Sequence, residues 1–330
     1  MWQIVGHEAA VALLDNSLKN GRLPHAHLFA GPPQVGKMTL ALNLAQALNC
    51  DADAKPCGVC ASCHRIAEMR HSDVQVIGLE GKTETSIDQI REMEHCASLK
   101  PFEGRSRVFI IDNADQLSQE AANCLLKTLE EPPPFVQIIL LSANERSVLP
   151  TIRSRCQTIR LRPLAIAAVE HALIERFKVQ PEQANILARL SSGRLGWAIE
   201  AAADENALKE RAEALETLTK TVSADRVERL FFATMLSTQS AKNRAALYKT
   251  LALWISWWRD LLLIKGECPD AITNVDQKET LYREAGYYDI IGIEKFINSL
   301  IRARAEIETN ANARLVLDVL MLSIPQREGG

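Results

Sequence analysis

Apolar residues recur along this chain in two rhythms, and the change from one to the other divides it. Up to about residue 162, short continuous apolar runs at 27–30, 73–77, 107–111, 137–141 and 157–161 alternate with stretches of helical periodicity. Such runs, bounded by turn residues, read as strands of a parallel sheet buried on both faces, and the amphipathic stretches between them as crossover helices. Helices are predicted within 2–27 ahead of the first strand, then over 38–48, 87–99 and 119–130; Pro132-Pro133-Pro134 ends the last of these. From Pro163 onward no strand-like run remains. Segments 166–177, 182–190 and 195–202 form a compact three-helix unit whose last turn is marked by Ser191-Ser192-Gly193. Longer helices follow over 207–221, 226–236, 244–264, 276–285, 293–307 and 312–324, with Trp254, Trp257 and Trp258 as a core stripe on one of them. The predicted fold class is α/β plus all-α: a domain with a parallel five-stranded sheet over 1–162, a small helical domain over 163–205 and a larger one over 206–330.

One strand-to-helix junction carries candidate chemistry. Residues 31–38 read Gly-Pro-Pro-Gln-Val-Gly-Lys-Met, which meets the phosphate-loop pattern G-x-x-x-x-G-K-[ST] at Gly31, Gly36 and Lys37 and departs from it at Met38. In a complete loop the backbone N–H groups cradle phosphates, the lysine reaches their outer oxygens and the hydroxyl holds Mg²⁺. Met38 offers no oxygen. Thr39 is a poor substitute, because one step along a helix turns the side chain by about 100°. The strand that ends at residue 111 delivers Asp112 where a metal-holding acid belongs, but Asn113 stands where the water-activating glutamate follows. Asp112 as a mere helix cap near Ser118 is the competing reading. Ser142-Ala143-Asn144 ends the next strand, at a position where many such ATPases sense the γ-phosphate. Gly31, Gly36, Lys37 and Asp112 thus compose a degenerate nucleotide site, one that can still hold phosphate but is poorly equipped for metal-assisted hydrolysis. Pro150 starts a short helix expected to carry Arg153 and Arg155.

Cysteine placement adds a second candidate. Of eight cysteines, Cys50, Cys57, Cys60 and Cys63 fall in one window, with Gly58 easing the turn between the second and third. Four thiolates at this spacing suit one tetrahedral zinc ion, and four protein ligands leave no open position for catalysis, so the site is expected to be structural. An iron–sulfur cluster is the rival, although His64-Arg65-Ile66 follows where a ferredoxin run requires another cysteine.

Charge and hydropathy remove some function classes. A net charge of −3 and a pI near 6.2 exclude a protein that coats nucleic acid by charge alone. The longest apolar segment, 251–264, is interrupted by Arg259 and Asp260, and residues 1–10 carry no leader-like run. A cytoplasmic location without membrane contact is expected.

Four stretches together give the chain a family resemblance: His25-Ala26-His27-Leu28-Phe29 before the loop, the cysteine module after it, Asn123-Cys-Leu-Leu-Lys-Thr-Leu-Glu-Glu-Pro-Pro133, and Ser154-Arg155-Cys156. The chain resembles the AAA+ clamp-loader family of bacterial DNA polymerase III over nearly its whole length. The resemblance implies an AAA+ P-loop domain, a three-helix lid and a helical collar. It also implies a five-subunit ring that opens the sliding clamp and closes it around primer-template DNA at the cost of ATP, with gamma/tau motor subunits and the delta subunit as partners. A motor of this family has Ser or Thr at position 38, Glu at 113 and an Arg three residues after Gly193; here stand Met38, Asn113 and Gly196. Gln34 also departs from the small residue often found there. The resemblance therefore implies a non-hydrolysing stator, with Arg155 acting in trans as an arginine finger at a neighbour's ATP site. A gamma/tau-type ATP-hydrolysing motor is the alternative, and an AAA+ DNA helicase a more distant one. No paired carboxylates suited to nucleotidyl transfer stand out, so polymerase chemistry belongs to other subunits.

Overall fold

The computed structural model describes residues 2–78, 85–204, 206–309 and 311–327, with the side chains at 207, 241, 242 and 245 left aside. Its elements in chain order begin with α1 (Glu8–Lys19), β1 (Ala26–Ala30), α2 (Lys37–Asn49), α3 (Ala61–Ala67), β2 (Val74–Ile77), α4 (Ile87–Ser98) and β3 (Arg107–Ile111). There follow α5 (Gln119–Glu130), β4 (Val136–Ser142), α6 (Pro150–Arg153), β5 (Gln157–Arg160), α7 (Ile166–Glu175), α8 (Pro181–Leu190) and α9 (Leu195–Ala203). The remainder is helical: α10 (Ala207–Ser223), α11 (Arg226–Lys242), α12 (Arg244–Lys265), α13 (Lys278–Ala285), α14 (Ile290–Glu308) and α15 (Ala313–Leu322).

The five strands form one parallel sheet in the order β2-β3-β4-β1-β5. Successive side chains of a strand point to opposite faces, which explains why the apolar runs are continuous rather than alternating. Phe109 and Ile111 of β3 join Leu28, Ile138 and Leu140 on one face, against Ile90 and Met93 of α4 and Leu125 and Leu129 of α5. Val108 and Ile110 join Phe29, Ile139 and Leu141 on the other, against Leu14 of α1 and Leu40 and Leu44 of α2. In this order β1 lies beside β4, and open parallel sheets place ligands in the crevice outside the carboxyl ends of such strands. Gly31 N–H donates to the Ser142 carbonyl at 3.1 Å across that crevice.

The chain falls into two compact units, residues 1–172 with 193–197, and residues 173–192 with 198–330. The second has its own core. Trp254, Trp257 and Trp258 are all buried, and Trp258 packs edge-on against Phe296 of α14 at 4.7 Å and lies 5.1 Å from Tyr288. Asp260, also buried, accepts N–H bonds from Thr273 and Asn274, which ties the loop after α12 back onto that helix. No helix among the described residues is long and apolar enough to cross a membrane.

Three local expectations need correction. Arg155 is not on the short helix: α6 ends at Arg153, Ser154 closes it, and the chain turns toward β5 at Gln157. A helix inside the cysteine module, α3, went unforeseen because it has only seven residues and starts on a cysteine, with Cys60 Sγ accepting from Cys63 N–H at 3.4 Å. Helix α11 runs on to Lys242 through a polar stretch that reads as a terminus; Thr238 and Ser240 satisfy their hydroxyls on carbonyls of the preceding turn.

Candidate functional site

The loop after β1 is shaped by two glycines that any other residue would strain. A Cβ on Gly31 would stand 2.2 Å from the Leu161 carbonyl oxygen, and Gly36 holds φ at +104°, a region that L side chains rarely adopt. Lys37 opens α2, and its ammonium turns back to donate to the carbonyls of Gly31 (2.6 Å) and Pro32 (2.8 Å). Burial pulls the Lys37 pKa down from its ordinary value, while Asp112 and Asp115 act in the opposite sense. The loop thus keeps its lysine beside two acids. Met38 packs against the core on the α1 and α2 side, and Thr39 is exposed.

The acidic edge has the residues of a catalytic strand end without the base. Asp112 accepts the N–H of Asn113 at 2.9 Å, and Asn113 sits at φ 53°, ψ 47°. The cap of α5 is Ser118, whose Oγ accepts from Ala121 N–H at 3.1 Å, so Asp112 is not spent on capping it. Ser142 is buried and its hydroxyl is used within its own turn, bonded to both the N–H and the carbonyl of Asn144.

The backbone of Gly196, the position at which the resemblance would put a motor's lid arginine, rests on the loop. Its N–H donates to the Gln34 carbonyl at 2.9 Å, and a Cβ there would meet the same oxygen at 2.8 Å. Gln34 itself holds φ at 63°. Any side chain at 196 would have to displace the loop backbone. On its other flank the loop is covered by the N-terminal segment: His7 Nε2 lies 3.0 Å from the Val35 carbonyl, and the Gln3 and Ile4 N–H groups donate to Asn43 Oδ1 at 2.7 and 3.1 Å.

The four clustered cysteines bring their Sγ atoms within 4.8 Å of one another, with Cys50 and Cys63 buried and Cys57 and Cys60 half-buried. Cys57 and Cys63 are 3.9 Å apart; a tetrahedral site with bonds of about 2.3 Å places its sulfurs about 3.8 Å apart. Backbone N–H groups of Val59 and Cys60 hold the Cys57 thiol down to about 6, whereas burial pushes Cys63 up to about 12. A bound cation would offset that cost for Cys63, since metal ligation requires thiolates. The donor set and spacing fit a metal held by Cys50, Cys57, Cys60 and Cys63.

Arg155 is at the surface, its side chain 36% exposed. Its guanidinium donates to Glu130 Oε1 at 2.6 Å and to the Thr151 carbonyl at 2.9 Å, both outside the phosphate loop. The neighbouring Cys156 packs against the sheet, and burial drives its thiol up to about 12, so it serves packing rather than chemistry.

Sequence reasoning overlooked a line of buried amides. Asn43 Nδ2 donates to Gln46 Oε1 at 3.0 Å, and Gln46 Nε2 to the Cys63 carbonyl at 2.8 Å. This links the N-terminal segment, the loop helix and the cysteine module. Its signal in the sequence is a run of amides at three-residue spacing, Asn43, Gln46 and Asn49, in an otherwise apolar stretch of α2.

Residues 6–165 match the family model described as DNA polymerase III, delta subunit. The delta' subunit of DNA polymerase III from Bacillus subtilis (strain 168) is 29% identical over 315 residues, 95% of this chain and 94% of that protein. The tau subunit from Escherichia coli (strain K12) is 36% identical over 199 residues, 58% of this chain but only 31% of tau, so the match spans under a third of that relative. A DNA polymerase III gamma subunit-related protein from Thermotoga maritima, of known structure, aligns over 96% of this chain and 99% of its own at 15% identity, with a TM-score of 0.46.

Proposed function

We infer the role of this chain from the family it belongs to, the clamp-loader subunits of DNA polymerase III, and from the departures in its own loop: it is a delta-prime-type stator, which hydrolyses no ATP and lends Arg155 to the ATP site of a neighbouring motor subunit. The observation that carries this reading is the seat of Gly196 on Gln34. A motor reaches the γ-phosphate with a lid arginine; here the loop backbone at Gln34 fills the space that a side chain at 196 would need. Met38 and Asn113 remove the metal-holding hydroxyl and the base as well, so three independent parts of hydrolysis are absent together. The phosphate-holding parts, Gly31, Gly36 and Lys37, remain together with the acid Asp112 as a degenerate nucleotide site.

Arg155 fits the complementary role because it lies at the surface and outside the chain's own loop. An arginine placed against a neighbour's γ-phosphate stabilises charge developing in the transition state, an effect on the order of 10³ to 10⁵ in rate where it has been isolated. The partners under this reading are gamma/tau motor subunits and the delta subunit, and through them the sliding clamp and primer-template DNA. The cysteine module holds structural Zn²⁺, keeping α3 and the end of α2 in register without taking part in chemistry.

The test is steady-state ATP turnover. The isolated chain is expected to show none above background. In a reconstituted loader, Arg155→Ala is expected to lower DNA-stimulated turnover by 10-fold or more, of the order seen for lost transition-state charge contacts, with ring assembly intact. Motor-like hydrolysis by the chain alone, abolished by Lys37→Ala, would establish the gamma/tau-type alternative instead.

A further inference from the structure

Glu130 occupies an unfavourable place. It is the last residue of α5, followed by Glu131 at the cap and then Pro132, so two carboxylates face the negative end of that helix. Helix termini normally carry the opposite charge, and local rules broken in this way concentrate at functional positions. Lys127 is the basic residue of that last turn, and Glu130 is engaged besides by Arg155, 25 residues further along the chain, whose Nη2 donates to Glu130 Oε1 at 2.6 Å.

The arrangement around the guanidinium is asymmetric. Nη2 is held by Glu130, and Nη1 by the Thr151 carbonyl at 2.9 Å with a longer contact to Ser154 Oγ at 3.5 Å. A guanidinium presents five N–H donors in a fixed plane. The contacts in cis leave part of that fork unengaged, and the side chain keeps 36% of its surface exposed. Arg155 also lies beyond the end of α6, so no helix restrains its backbone. What defines the direction of its side chain is the pair of anchors, one a neutral carbonyl and the other an ionised carboxylate. The charge-assisted bond is the stronger of the two.

We propose that Glu130 is the positioning residue for Arg155: it fixes one Nη in cis so that the remaining donors are aimed, before assembly, at a phosphate oxygen in the neighbouring subunit's ATP site. This rests on the finger role proposed above. Glu130 touches no phosphate and acts through Arg155 alone. It pre-orders a side chain with four rotatable bonds, so its removal slows the chemical step and leaves ATP binding by the motor unchanged.

The experiment is DNA-stimulated ATPase of the reconstituted loader with five versions of this chain: native, Glu130→Ala, Glu130→Gln, Arg155→Ala and the double alanine variant. Glu130→Ala is expected to lower kcat by roughly five-fold, the size of one lost anchoring hydrogen bond, with KM for ATP unchanged. Glu130→Gln, which retains an acceptor oxygen, is expected to recover part of the loss. The double variant is expected to be no slower than Arg155→Ala, because two residues acting through one guanidinium are not additive. Unchanged or raised kcat in Glu130→Ala, or additive losses in the double variant, would overturn the assignment while leaving the finger standing. A loader indifferent to Arg155→Ala would remove the finger itself, and Glu130 with it.

Discussion

On the reading proposed above, single side chains set what the loop lacks. Met38 packs on the core and brings no oxygen to the loop; under the stator reading, restoring that oxygen alone does not restore hydrolysis. Asn113 still lacks a base, and Gly196 still has its backbone on Gln34. Met38→Thr is therefore expected to leave the isolated chain without steady-state ATP hydrolysis, measured as phosphate release against a heat-inactivated control. Measurable turnover in that single variant would show that position 38 alone holds the site off. Met38 and Asn113 were legible in the sequence, since each is a departure from a spaced pattern. Glu130, Asn43 and Gln46 were not, because their meaning depends on partners 25, 40 and 17 residues away.

Between elements, polar groups do the positioning. Buried Asp73 gathers the loop ahead of β3: its carboxylate accepts N–H bonds from Phe102 (2.7 Å), Glu103 (2.9 Å) and Gly104 (2.7 Å), and Arg107 lies at 3.2 Å. Burial raises its pKa, but these donors outweigh it and leave the carboxyl below its ordinary 3.8. A depressed pKa contributes stability that is present above the unfolded value and lost as pH falls through the folded one. Asp73→Asn is expected to cost about 2–3 kcal/mol at neutral pH, since an amide N–H would face backbone N–H groups. The gap in denaturant midpoint between variant and native protein should shrink below pH 4. The cysteine module makes a parallel case. Chelation under denaturing conditions is expected to release one zinc per chain, quantified by atomic emission, and removal from the folded protein to lower Tm; iron in its place would reverse the metal assignment. The spacing of the four cysteines was readable in advance. Helix α3 beside them was not, since its cap is a cysteine sulfur rather than a familiar capping side chain.

Among the described residues the second unit has a hydrophobic cluster of its own, apart from the two that line the faces of the sheet, and two separable cooperative transitions are expected. Trp258 is fully buried against Phe296 and Tyr288, in the second unit. Trp258→Ala is expected to cost about 3–5 kcal/mol in that unit, seen by calorimetry as one transition moving down while the other stays. A single transition shifting as a whole would mean that the units unfold together. The alternation of apolar runs and helical stretches was enough to number the strands and to place the change to all-helical structure near residue 162, because burial on both faces forces continuous apolar strands.

Composition and spacing already contained the sheet-then-helices architecture, the glycine loop with its missing hydroxyl, the absent base and the clustered thiols, since each is written in consecutive or regularly spaced residues. Folding added what depends on distance through space. Gly196 becomes an obstruction only because its backbone meets Gln34. Asp112 is freed from capping only because Ser118 does it, and Arg155 acquires a direction only because the end of α5 brings Glu130 to it. Periodicity reports which face of an element is buried; it carries no record of which distant group that face will meet.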